Sequence, residues 1–522
     1  MPNNINVIDL FAGPGGLGEG FSAFTPAGKS PGGFQIRMSV EKEASAHKTL
    51  SLRALYRALK GTRDAQHYHA YMAGHIDRGD LISQVPDAWQ AADFESLGGP
   101  RALGEDNDLI HKRLKQLARE RADEPWVVIG GPPCQAYSLA GRSRNKGIKG
   151  YQPEADNRHF LYQEYLEVLS IIQPDVFVME NVKGILTSKV NGARIFPSIR
   201  DDLRNPSKAA AGKRATGKQY RIYSFVVRPD SVSSIGNTYD NDADYIIRAE
   251  SFGVPQARHR VILLGVCTDL GREPALISQQ EPAHIEHVLT GLPALRSKLS
   301  KTEDSPDGWE RAIRAQASTT VRALGRRGPN AALAACIHER SQALKVGSPT
   351  ISRKRGKKPF SSKLSNDLRA WLDDDAPSVL RNHESRGHME SDLGRYLFSA
   401  CWAETFSVEE NSIPKASDFP ECLAPAHANW KSGHFSDRFR VQRRGRPATT
   451  VTSHISKDGH YFIHYDPTQC RALTVREAAR IQTFPDNYLF EGNRTQQYVQ
   501  VGNAVPPFLA RQLAETVYDL IS

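Results

Sequence analysis

The chain has only six cysteines in 522 residues, at 134, 267, 336, 401, 422 and 470, and no two of them form a Cys-x-x-Cys pair. That spacing excludes a zinc ribbon and a disulfide framework, and a reducing, intracellular setting is expected. Long apolar runs are also missing. No stretch approaches the roughly 20 residues that a membrane helix needs, and no basic segment leads into an apolar core at the N-terminus. A soluble, cytoplasmic protein without a membrane partner is therefore expected. His383 and His388 have no evident third ligand, so no metal centre is expected.

Positive charge is plentiful by contrast. A net charge of +10 and a pI near 9.2 point to a polyanionic partner. The length exceeds what one hydrophobic core holds, so about two to four units are expected.

The most distinctive stretch runs from Val127 to Gln135, VVIGGPPCQ. It reads as a buried parallel strand that ends on two glycines, two prolines and a cysteine. Pro132 and Pro133 each fix φ and stiffen the turn that carries Cys134, which suits a nucleophile. The same pattern also fits a small apolar residue at a sheet edge.

In chain order, residues 5 to 9 form a strand that enters Gly13-Pro14-Gly15-Gly16-Leu17-Gly18. This GxGxxG turn fits nicotinamide enzymes, methyltransferases that use S-adenosylmethionine, and a plain tight turn. A second strand, Phe34 to Val40, ends in Glu41, placed either to hold ribose hydroxyls or to start a helix. Residues 107 to 122 form an amphipathic helix ahead of the Val127 strand, which continues an α/β alternation. After Cys134, residues 136 to 157 are polar and basic, a lid or a solvated loop. Arg158 to Ile172 reads as a helix with Phe160, Tyr165, Leu169 and Ile172 inside. The strand Val176 to Met179 then ends in Glu180-Asn181-Val182, at the edge where open α/β sheets bind ligands.

Tyr220 to Val227, Asp244 to Glu250 and Arg260 to Val266 read as further strands. Alternation puts Gln256, Arg258 and Arg260 on one face, either a functional surface or a wet edge. Residues 270 to 445 change character, with many prolines and two basic clusters, Arg353 to Lys358 and Arg438 to Arg446. With Phe360, Trp371, Trp430, Phe435 and Phe439 they fit a nucleic-acid surface, although each cluster alone fits a solvated face. The histidines at 454, 460 and 464 read as structural. Thr474 and Glu477 form a capping box, and a final helix runs to Ile521.

Six blocks in this order resemble the cytosine-C5 DNA methyltransferase family, of bacterial or phage type. They are Asp9-Leu-Phe-Ala-Gly-Pro-Gly-Gly, Gly131-Pro-Pro-Cys-Gln, Glu180-Asn-Val, Gln256-Ala-Arg-His-Arg, Arg471 to Asp486, and Gln500 to Pro507. The resemblance implies an α/β fold: a doubly wound, Rossmann-like S-adenosylmethionine-dependent methyltransferase sheet with a second, mostly irregular, basic target recognition domain. The expected divisions are a catalytic part at 1–269, recognition at 270–445 and a return to the catalytic domain at 446–522. It also implies methylation of a flipped cytosine in a specific duplex DNA sequence, with RNA cytosine-C5 methylation as the alternative. A nicotinamide oxidoreductase would leave Pro-Cys-Gln and Glu-Asn-Val unexplained.

Cytosine C5 is too weak a nucleophile to take a methyl group unaided, so the resemblance assigns Cys134 to attack C6 as a thiolate. A thiol of ordinary pKa, roughly 8.5, needs nearby cations or backbone donors to ionise. Glu180 is expected at N3 and the amino group, Arg258 and Arg260 at the base O2 and nearby phosphates, and Asn181 as a brace for the active-site loop. Phe11, Ala12, Gly13, Gly15, Gly16, Leu17, Glu41, Pro132, Asn503 and Val505 are expected around the S-adenosylmethionine, with Leu103 at its adenine. Asn503 lies so far along the chain that the C-terminal helix must fold back onto the first domain. Gln135, Ser138, Arg142 and Arg144, in the basic loop, and Arg355 and Lys357 are expected on the DNA, whose target base must be flipped out. The implied partners are double-stranded DNA and a cognate restriction or phage-defence system, and a monomer is expected.

Overall fold

The apolar, β-branched runs in the first half of the chain become the parallel strands of one sheet. A computed structural model describes residues 4–26, 33–120, 123–133, 158–190, 192–211, 216–233, 236–325, 327–407, 413–425, 430 and 438–522. β1 (Asn4–Leu10), β2 (Gly33–Val40), β3 (Trp126–Gly130) and β4 (Val176–Val182) run parallel to their neighbours. β5 (Tyr220–Tyr223) and β6 (Ile246–Arg248) follow, then the two-residue β7 (Gln256–Ala257) and the long β8 (His259–Cys267). The order across the sheet is β6-β8-β4-β3-β1-β2, with β5 also paired to β8. β8 runs antiparallel to β4, which brings its N-terminal end beside the C-terminal ends of the parallel strands.

β3 is buried along its whole length, as expected of a parallel strand covered on both faces. α1 (Gly16–Ala23) follows β1, and α2 (Ala44–Leu59) follows β2. α3 (Asn107–Glu120) and α4 (Arg158–Ile172) cover one face with Ile110, Leu114, Leu117, Tyr165 and Leu169. Between α2 and α3, short helices pack around Leu55, Tyr68, Met72 and Leu81, and Leu489 joins them from the far end of the chain.

Two strands are shorter than their sequences suggest. The first stops at Tyr223 because the Ser224 hydroxyl accepts from the amides of Val226 and Val227 and so turns the chain, although Phe225 stays buried. In the second only Ile246–Arg248 is extended, between 3-10 turns at Asp242–Tyr245 and Ala249–Ser251.

Most of the described residues from 270 to 445 lie outside helices and strands, but the region holds a helical core. α5 (Pro306–Leu324), α6 (Ala331–Gln342) and α7 (Glu390–Thr405) pack around Trp309, Ile313, Leu333, Ile337, Tyr396 and Leu397. Trp430 and Phe439 belong to this core, and Phe360 and Trp371 to another, so these four aromatics are interior packing rather than a nucleic-acid surface. Phe435 lies outside the described residues. One hydrophobic cluster spans the expected boundary at 445. Ile285, Val288, Leu368 and Trp371 share a core with Val451, Leu473, Phe484, Val501 and Phe508.

α8 (Val475–Ile481), α9 (Arg494–Asn503) and α10 (Pro507–Ile521) close the chain. Leu509, Leu513 and Val517 of α10 pack with Phe21 of α1 over the second face of the sheet, so the C-terminus does return to the first unit. His383 is held between the Thr474 hydroxyl and the Pro293 carbonyl, each at 3.0 Å, and His460 meets the Tyr396 hydroxyl at 2.8 Å. Among the described residues no helix is long and apolar enough to cross a membrane.

Candidate active site

In the strand order 2-1-3-4, the chain leaves β1 in one direction and β3 in the other, so a crevice opens between their C-terminal ends. Phe11 (φ 54°), Gly13 (φ 58°) and Gly15 (φ 96°) are all left-handed there, which turns the chain sharply from β1 into α1. For Phe11 that conformation is strained, and such strain gathers at ligand sites. Gly16 is required for a different reason, since a Cβ there would collide with the Val505 carbonyl. The C-terminal segment therefore rests directly on this turn.

Glu41, at the end of β2, accepts from the Gly13 amide at 2.8 Å and from the Glu43 amide at 2.7 Å. Burial pushes its carboxyl up, and those two amides oppose the shift. The Arg101 amide bonds the Glu41 carbonyl at 2.8 Å, which carries the 101–103 segment to the same crevice. Asp9 also faces it. Burial pushes its carboxyl up to about 8, against the pull of Arg57 and the Gly18 amide.

On the other side, β3 runs into Gly131-Pro132-Pro133. The Asn181 amide nitrogen donates to the Pro132 carbonyl at 3.0 Å, which ties this turn to β4. Antiparallel pairing sets Arg260 opposite Val182 and Ile262 opposite Glu180. Arg260 and Glu180 are thus diagonal neighbours on one face, and Arg260 Nε lies 2.9 Å from Glu180 Oε1. Both side chains stay partly open to the crevice, at 16% and 13% exposure.

The cleft so formed has a volume of about 630 Å³. Phe11, Ala12, Gly13, Gly16, Leu17, Glu41, Leu103, Pro132, Asn503 and Val505 all line it, together with Glu180, Asn181, Arg258 and Arg260. Gly15 does not. It faces Leu50 and the Tyr488 hydroxyl, each 3.1 Å from where its Cβ would stand, so it serves the turn rather than the cleft.

The polar row on the approach to β8 is not a wet edge. Gln256 and Arg258 are buried. Gln256 accepts from the Val451 amide at 2.6 Å and donates to Gln482, whose own amide nitrogen reaches the Ala504 carbonyl at 2.5 Å. Arg258 donates to the carbonyls of Val451 and Gly502, at 2.8 and 3.3 Å. Its guanidinium thus fastens the C-terminal return to the cleft wall, and only Arg260 of the three turns toward Glu180.

The expected nucleophile, Cys134, and Gln135, Ser138, Arg142 and Arg144 lie outside the described residues; Pro133, just before the cysteine, lines the cleft. Arg355 is not a free cation. It pairs with Asp373 and, at 3.2 Å, with the fully buried Asp486, so its guanidinium is already engaged within the chain. Lys357 is exposed. Asp9, Thr452, Ser453 and His454 also line the cleft and had not been singled out for it. An acid at a strand end, just ahead of a glycine turn, was the available signal for Asp9. Nothing local marked residues 452–454, which reach the cleft because β9 (Ala448–Thr449) pairs with β7.

The family model for C-5 cytosine-specific DNA methylases matches residues 105–205 and 229–519. The chain is 33% identical over 535 aligned residues to the type II methyltransferase M.Bpa9945I of Bacillus paralicheniformis, with 99% of each chain covered. It is 25% identical to the type II methyltransferase M.AgeI of Thalassovita gelatinovora, over 99% of this chain and 100% of the relative. Its fold is similar to that of an E. coli prophage protein described as a DNA modification methyltransferase, with a TM-score of 0.52, 18% identity and 99% of both chains covered. The chain belongs to the C-5 cytosine-specific DNA methylase family, the enzymes that methylate cytosine in DNA.

Proposed function

We propose that this protein moves a methyl group from S-adenosylmethionine to C5 of a cytosine flipped out of a specific duplex sequence, through a covalent bond from Cys134 to C6. One observation carries the reading. At a single sheet edge the Glu180–Arg260 pair, the Asn181–Pro132 brace and the Gly13–Glu41 turn converge on one cleft.

The cleft residues fit the cofactor. Gly13 has open space where a Cβ would stand, and Glu41 brings two carboxylate oxygens to the turn beside it. Glu41 would hold the ribose hydroxyls, Leu103 would meet the adenine, and Pro132, Asn503 and Val505 would enclose the rest. When bound, S-adenosylmethionine supplies an electrophilic methyl group on its sulfonium.

The chain's own groups prepare the base. Glu180 holds N3 and the amino group while Arg260 steadies Glu180 and reaches the base O2. Asn181 keeps the Pro132 turn in place, and Arg258 positions the wall behind it. The Cys134 thiolate adds to C6, which makes C5 nucleophilic enough to take the methyl group. Loss of the C5 proton to a base or water then breaks the C–S bond and returns the thiolate. Gln135, Ser138, Arg142 and Arg144 would close over the flipped base.

Target choice falls to the 270–445 region, built on the α5 to α7 core. Because both quoted relatives are named type II methyltransferases, we assign the chain to the modification arm of a restriction system. Labelled methyl transfer to duplex DNA tests the reading, with RNA of matching sequence as the second substrate. Cys134→Ser should abolish transfer while leaving DNA binding, and DNA bearing 5-fluorocytosine should trap a stable adduct on the unaltered enzyme. Transfer that survives in the Ser variant would overturn the mechanism, and transfer to RNA alone would overturn the substrate.

A further inference from the structure

Of the two basic clusters, the first ties Arg355 to the buried Asp486, whereas the second projects two arginines, Arg444 and Arg446, from a segment whose other side chains are buried or half-buried. The segment from Arg440 to Thr450 is fixed at many points. The Arg440 amide bonds the His460 carbonyl at 2.8 Å, the Gln442 amide bonds the Ile463 carbonyl at 2.9 Å, and the Gln442 side chain bonds Thr449 in both directions at 2.9 and 3.0 Å. At its tip the Gly445 amide points at the Glu286 carboxylate, 3.0 Å from each oxygen, and the Arg446 carbonyl accepts from Ile285 at 3.0 Å. The backbone is therefore rigid where the arginines project.

Arg444 and Arg446 are both exposed, and neither has a carboxylate partner among the described residues. Arg444 lies over the Tyr465 ring, its Cζ 4.3 Å from the centroid, and Tyr465 is itself stacked on His464 at 4.4 Å. A guanidinium held this way loses little further freedom on binding a phosphate, and its fork of donors suits phosphate oxygens. The segment also leads straight to the cleft. β9 pairs with β7 just ahead of Arg258, and residues 452–454 line the cleft mouth.

We propose that Arg444 and Arg446 form a phosphodiester-binding site that holds two backbone phosphates of the DNA beside the cleft mouth, with Tyr465 positioning Arg444. This rests on the reading of the protein as a DNA methyltransferase. The site anchors the duplex while the target cytosine swings inward, and it carries no sequence information itself.

Duplex binding measured across a range of salt concentrations tests the site. Each phosphate contact contributes about 0.9 to the slope of log K against log salt, so Arg444→Ala with Arg446→Ala should flatten the slope by about 1.8. The Michaelis constant for DNA should rise at least about tenfold, with kcat at saturating DNA, cofactor affinity and melting temperature unchanged. Tyr465→Leu should weaken DNA binding several-fold, and Tyr465→Phe, which keeps the ring, should restore it. An unchanged salt slope in the folded double variant overturns the site. Failure of the unaltered protein to bind duplex DNA at any salt concentration would instead overturn the reading on which the site rests.

Discussion

Asp9 sits where β1 gives way to the glycine turn, and neither of its buried carboxylate oxygens has a partner in hydrogen-bonding geometry among the described residues. Arg57 pulls its proton affinity down, while Glu95 and Glu41 push it up with the burial itself. An ordinary carboxyl titrates near 3.8, and this one is raised to about 8 in the fold. Between those limits the folded chain keeps a proton that the unfolded chain has released. Stability from this group therefore falls as pH rises, by at most about 1.4 kcal/mol per unit, and levels off above about 8. Asp9→Asn should flatten the stability profile between pH 5 and 8 when denaturant midpoints are compared. Equal slopes for both proteins would mean that the carboxyl is ionised in the fold.

The short helix α8 shows how one element can depend on a single buried pair. Glu477 closes the capping box with Thr474, and its carboxylate takes two bonds of 2.7 Å from Arg471. Burial works against the charge, but the nearby Arg471 guanidinium outweighs it and holds the carboxyl well below the usual range. The contribution of Glu477 is then whole above its unfolded pKa of about 4.5 and is lost as pH falls below it. Removing one partner of such a pair leaves a bare buried charge. Arg471→Ala should cost about 3–5 kcal/mol in chemical denaturation, with a smaller loss at pH 3 than at pH 7. The capping box was legible because its signals lie three residues apart. The role of Arg471 was not, since its position before the N-cap gives no sign of which carboxylate it will meet.

At the scale of the molecule, the legible parts were those whose meaning is local. The strand ends at Glu41 and Glu180, the glycine turn and the proline pair are read from neighbours in sequence. Phe360 and Trp371 were misread because a basic neighbourhood says nothing about which way a ring faces; both are turned inward. The helices α5 to α7 were missed although α6 opens on the apolar run AALAACI at residues 331–337, because the prolines and basic clusters around them dominate the composition of the region. Arg258 is a subtler case. It lines the cleft with Arg260, but the carbonyls that receive its guanidinium come from residues 451 and 502. Exchanging the α5 to α7 region, residues 306–405, for that of a relative with another target should change the sequence methylated, read by bisulfite sequencing of host DNA. An unchanged target would place recognition elsewhere in the chain.

The Tyr488 hydroxyl donates to the Pro14 carbonyl across 474 residues of chain, and Gln500 meets Thr49 across 451. A ribosome delivers the glycine turn long before it delivers the residues that complete the cleft around it. Until then Phe21 and its apolar neighbours on α1 lack the cover of α10, a state that invites chaperone binding. Contacts of such long range also close slowly. Methylating competence should therefore arrive as one late event in the life of each molecule, after its synthesis has passed residue 517, rather than accumulating as the domains emerge.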